Sequence, residues 1–142
     1  MSFSTIIETN WNSLPLPAVS SPIMGQIGRI QAALGLAADS LPKVNEDTLA
    51  RYYAYLSANL SLPFTAYYPQ PMNVQERIQF RCTVLDLLDP IQHLGDEFDG
   101  IFCRTRKGNF VVNLPLIELE VPNDSPDFQL IEDYSYWFWN WR

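Results

Sequence analysis

The hydrophobic period of this chain first changes between Leu60 and Phe64, and that change limits what it can fold into. Before it, apolar residues recur at helical spacing; after it, they alternate. Ile23, Ile27, Ile30 and Leu34 predict a helix opened by Ser21 and Pro22 and closed at Gly35. Beyond Leu41-Pro42, Asn45 is placed to cap a second helix running to about Leu60. Leu49, Tyr52, Tyr53 and Leu56 form its apolar stripe, and Glu46 and Asp47 sit in its first turn. Phe64–Tyr68, bracketed by Pro63 and Pro69, reads as the first strand, and Ile78, Phe80, Cys82 and Val84 alternate as a second. Residues 101–105 and 110–114 flank Lys107-Gly108 as a hairpin. Leu116–Val121 reads as a fifth strand, with Ile117, Leu119 and Val121 inward and Glu118 and Glu120 outward. The expected class is α+β, built on a small bent antiparallel sheet or SH3-like barrel of about five strands, with two helices before it.

A third helix is expected over 127–141, with Leu130, Tyr134, Trp137 and Trp141 along one face. Three of the four tryptophans fall in the last six residues, and Tyr134, Trp137, Phe138 and Trp141 follow the spacing of a buried stripe. Tyr136 and Trp139 lie off it. The expected organisation is one domain over 1–142: an extended arm at 1–21 laid down through Trp11, Leu14 and Leu16, a helical part at 22–60, then sheet and aromatic-rich helix at 61–142.

Charge narrows the function classes. A net −7 argues against nonspecific nucleic-acid binding, which calls for a basic face. No apolar run approaches the ~18 residues of a membrane span. No basic residue precedes Glu8, as a secretory leader would require, so a cytoplasmic location is expected and Cys82 and Cys103 read as reduced core thiols. Eleven of the sixteen acidic residues lie between Asp86 and Asp133, offset there by Arg104, Arg106 and Lys107. Calcium takes about six to eight oxygen ligands, and the loop holding Asp86, Asp89, Asp96, Glu97 and Asp99 is rich in them. Glu118 and Glu120, two apart on an expected strand, would share a face and add to the set. The loop is not an EF-hand, because Asp96, Phe98 and Gly100 break the alternate-oxygen pattern. From charge pattern alone, a solvated acidic face is the favoured reading.

Other chemistries lack a motif. His93 is the sole histidine and no Gly-x-Ser-x-Gly elbow accompanies it, Cys82 and Cys103 form no Cys-x-x-Cys pair, and no phosphate-cradling glycine loop occurs. No enzymatic function is expected.

Five phrases tip the balance toward calcium: LSLPFTAYY at 60–68, VLDLLDP at 84–90, GIFCRTRKG at 100–108, LPLIELEV at 114–121 and the closing DYSYWFWNWR. With them, residues 49–142 resemble the small acidic cyanobacterial calcium-binding proteins, a family without EF-hands. The resemblance implies a compact α+β fold and a cytosolic calcium buffer or calcium-responsive module using surface carboxylates. Residues 1–44 lie outside it. An SH3-like protein-interaction module without metal is the alternative, with Trp139 on the aromatic helix or the N-terminal arm meeting a protein partner.

Overall fold

The computed structural model describes residues 22–36, 40–71, 77–93 and 95–142. The expected arm at 1–21 lies outside them. The described residues form α1 (Pro22–Leu34), α2 (Glu46–Asn59), β1 (Phe64–Pro71), β2 (Arg77–Leu87), β3 (Phe102–Lys107), β4 (Phe110–Pro115), a 3-10 turn (Leu116–Glu118) and α3 (Phe128–Asn140).

Local chemistry sets the helix ends. Gly35 adopts φ 67 just past α1, where a left-handed residue terminates a helix without the cost a Cβ would bring. Asn45 caps α2: its side chain accepts from the Thr48 N–H at 2.9 Å, and the Thr48 hydroxyl accepts from the Asn45 N–H at 2.9 Å. The stripe expected on α2 is buried through Leu49, Tyr52 and Leu56, with Tyr53 half-buried. On α3 the deepest apolar residues are Ile131, Tyr134, Trp137 and Phe138, and Trp139 is 52% exposed. Trp137 donates its indole N–H to the Pro42 carbonyl at 2.9 Å, and the Val44 N–H donates to the Trp141 carbonyl at 2.8 Å. The linker before α2 is thereby fastened to the end of α3.

The sheet is antiparallel in the order β1-β2-β3-β4. Among the described residues it is an open sheet of four strands, against about five expected, and not the SH3-like barrel that was the other expectation. Phe64 faces Val84, Thr83 faces Arg106, and Lys107 faces Phe110, with an irregularity between Val84 and Asp86. Directly opposed residues share a face, so Phe64, Val84 and Thr105 line one side and are buried, together with Ala66, Cys82, Cys103 and Leu87. Thr65, Tyr67, Arg81, Thr83, Arg104, Arg106, Val111 and Asn113 occupy the other side and are exposed or half-buried. The three helices complete a single core with the buried side. Cys82 and Cys103 are both buried and free, as expected; burial raises each thiol pKa, that of Cys103 to about 12.

The segment 116–121 departs from expectation. It is not a strand: Leu116–Glu118 forms a 3-10 turn, and the remainder joins the sheet through one bridge, Tyr67 with Glu120. The Leu116 N–H donates to the Ile101 carbonyl at 2.9 Å, still in register with the β3–β4 ladder, and the Leu119 N–H then turns back to the Leu116 carbonyl at 3.2 Å. Leu116 and Leu119, three apart, are both buried, and that spacing suits a turn better than a pleat.

Candidate metal site

The acidic loop between β2 and β3 is held by its own carboxylates. Asp89 accepts from the Ile91 N–H through its side chain at 3.0 Å, and from the Gln92 and His93 N–H groups through its carbonyl at 3.1 and 2.9 Å. Asp96 repeats the device: Oδ1 accepts from Phe98 and Asp99 N–H, each at 2.9 Å, and its carbonyl accepts from Gly100 at 2.8 Å. These are Asx turns, in which a short acidic side chain replaces a backbone acceptor. The loop then closes onto α3. Gly100, at φ 69, lies so near Tyr134 that an added Cβ would sit 2.4 Å from the phenol oxygen. The next residue, Ile101, donates its N–H to that Tyr134 hydroxyl at 2.8 Å. Complete burial raises the Tyr134 pKa well above the ordinary phenol value, so the anchor stays a neutral hydroxyl.

Beside this loop is a cleft of about 500 Å³ lined by Leu88, Gln92, His93, Asp96, Asp99, Phe102 and Asn113. The structure therefore brings Asp96 and Asp99 to one space, together with two amide side chains. The other sequence candidates lie elsewhere. Asp89 is half-buried at the preceding turn. Glu97 faces a different cleft, with Phe98, Trp139, Asn140 and Arg142. Asp86 forms a forked pair with Arg104, at 2.8 and 3.2 Å, and this raises the arginine's pKa further. Glu118 is exposed on the 3-10 turn. Glu120 accepts from the Gln79 side chain and borders a third groove beside α3. Because 116–121 is not a strand, pleat geometry no longer sets Glu118 and Glu120 side by side.

Among the described residues, no three acidic, histidine or cysteine side chains converge as a ready-made cage. The donor chemistry at the cleft still suits a hard cation. Asp99, the second oxygen of Asp96, and the amide oxygens of Gln92 and Asn113 are the ligand types calcium accepts, whereas His93 is not. Gln92 and Asn113 were invisible to the carboxylate pattern. Nothing in the sequence marks Asn113, which reaches the cleft because the β3–β4 register sets it opposite Arg104.

An α+β protein with an acidic, self-braced loop anchored to an aromatic helix is the class these features define. Residues 42–138 match the sequence model of a family described as calcium binding, the CcbP family. The chain belongs to that family. The fold is similar to the crystal structure of Anabaena CcbP, with 20% identity and a TM-score of 0.58 over 86% of this chain and 94% of that one. It is also similar to a protein described as a calcium binding protein in the calcium-binding form, with 19% identity and a TM-score of 0.58 over 80% of this chain and 88% of that one. No match was found among curated proteins. Among the described residues, no helix is long and apolar enough to cross a membrane.

Proposed function

We propose that this protein binds calcium without catalysing a reaction, as a buffer or calcium-responsive module of the cytoplasm. The ion sits at the cleft beside the acidic loop, with Asp96 and Asp99 as the principal ligands. The observation that supports this reading is their shared cleft, in a chain whose family is a calcium-binding one. Gln92 and Asn113 supply neutral oxygens, and water completes the shell. Asp89 and Glu97 add negative potential from the same loop. Asp86, Glu118 and Glu120 are secondary candidates, since Arg104 and Gln79 already engage two of them.

The binding step is charge relief. Asp96 and Asp99 are held in one turn, where their carboxylates repel each other; a divalent cation between them removes that repulsion and draws the loop together. Because no cage stands ready among the described residues, part of the binding energy orders the ligands, and affinity falls in the weak range of about 10⁻⁴–10⁻³ M. Calorimetric titration tests this directly. The full chain is expected to give saturable heat with calcium, and Asp96→Asn or Asp99→Asn to weaken binding at least about tenfold, roughly the worth of one charged ligand contact. Asp47→Asn, on α2 and paired with Arg51, is expected to leave it unchanged. No saturable heat at millimolar calcium would refute the proposal.

A further inference from the structure

Charge is divided sharply across this molecule. The four strands contain Arg77, Arg81, Arg104, Arg106 and Lys107 but one acid, Asp86, a balance of +4. The chain as a whole is −7, so everything outside the sheet carries −11. Arg81, Arg104 and Arg106 are exposed on the side of the sheet turned away from the core. Arg104 is engaged by Asp86, whereas Arg81 and Arg106 form no ion pair among the described residues.

This face runs to an edge that no described strand pairs. β4, written FVVNLP, contains no charge, and it is the last strand in the order. Phe110 is 73% and Val111 50% exposed. Exposed edges are usually blunted by a lysine, an early proline or a covering element; here the proline comes at the far end, Pro115. Lys107 and Phe110 close a two-residue turn, so the ladder to β3 uses alternate residues of β4 and leaves the backbone groups of Val111 and Asn113 facing outward.

We propose that the β4 edge and the arginine-bearing face beside it dock an extended, acidic segment of a protein partner, which adds as a fifth strand. Backbone pairing to Val111 and Asn113 would supply affinity and register. Acidic side chains on the outer face of the added strand would lie next to Val111, within reach of Arg106, its cross-strand neighbour. Apolar side chains on the alternate positions would cover Phe110 and Val112. Charge argues against a second copy of this chain in the same place, because pairing β4 with itself would bring two cationic faces together. It argues against a nucleic acid too. A polyanion is repelled by the −11 remainder and has no strand backbone to complete the ladder.

Fluorescence anisotropy with the full chain tests the proposal, using a labelled heptapeptide of alternating glutamate and valine at neutral pH. Saturable binding is expected, weakening as salt rises through the physiological range. Arg81→Gln with Arg106→Gln is expected to weaken it about fivefold, one exposed ion pair at Arg106 and the longer-range attraction of Arg81 being lost. Val111→Pro is expected to abolish it, since the proline removes an outward donor that edge strands can spare. Circular dichroism of both variants is expected to match the parent, and the arginine pair decides the matter if the proline variant alone fails to fold. Equal binding of the glutamine–valine counterpart, tighter binding of a uridine decamer, or self-association without peptide binding would each overturn the proposal.

Discussion

Asp133 shows how unequal the carboxylates of this chain are. It is 3% exposed and receives hydrogen bonds from Arg29 at 2.7 and 3.2 Å, Gln26 at 3.0 Å and Gln129 at 2.9 Å. Both oxygens it could lend to an ion are engaged within a junction of α1 and α3. Asp127 is likewise buried, accepting from the Ser61 N–H at 2.8 Å. A count of acids therefore overstates what is available to calcium, and formal charge is a poor guide to ligands. Asp133→Ala is expected to destabilise the fold by about 2–3 kcal/mol in urea denaturation, short of the full cost of a broken buried pair because the Arg29 side chain is 44% exposed and finds water. Calcium affinity should stay within about twofold, as one charge removed at a distance is well screened. Legibility at this scale follows sequence separation. The Asn45 cap was readable because its partner is three residues away, whereas the bond from Arg29 to Asp133 spans 104 positions. Arg142 stacks over Trp139 at 4.6 Å.

At the scale of elements, α1, α2 and the β3–β4 hairpin were legible because each is announced by local chemistry: a terminating glycine, a cap, a turn; α3 was legible from the spacing of its aromatic residues. Gly108, at φ 59, occupies the hairpin turn expected at Lys107-Gly108. The segment 116–121 was misread because Leu116, Ile117, Leu119 and Val121 fit period two and period three equally well. The bond from the Leu119 N–H back to the Leu116 carbonyl marks the turn that was adopted, and the alternation of apolar residues does not announce it. The same limit applies to the site. That acids crowd one loop was plain; that Asp96 and Asp99 share a cleft with Asn113 depends on strand register and two Asx turns. The loop's anchor gives this scale its prediction. Gly100→Ala combines a left-handed backbone with a Cβ 2.4 Å from the Tyr134 oxygen. It is expected to cost about 3 kcal/mol or more in denaturant unfolding, and to weaken calcium binding by displacing Asp99.

Across the whole molecule, the class was legible because the change of period near Leu60 separates helix-forming from strand-forming sequence. The division of charge was not, since it depends on which face of the sheet each arginine occupies. The core also fixes the response to pH. Burial raises the thiol of Cys103 to about 12 and shifts the phenols of Tyr52 and Tyr134 upward. These groups ionise earlier unfolded than folded, so their contribution is complete below the ordinary pKa and is lost as pH climbs toward the folded value. Melting temperature is expected to fall steadily from about pH 9 to about pH 12, and Cys103→Ala to flatten part of that slope. One further property follows from the hydroxyl that Tyr134 offers to Ile101. The same helix bears Trp137 and Trp139 within the next five positions, and Trp141 ends it. Indole emission is sensitive to small changes in packing and polarity, so the molecule has an optical gauge built into the support of its acidic loop, and whatever shifts that support can be followed without attaching a dye.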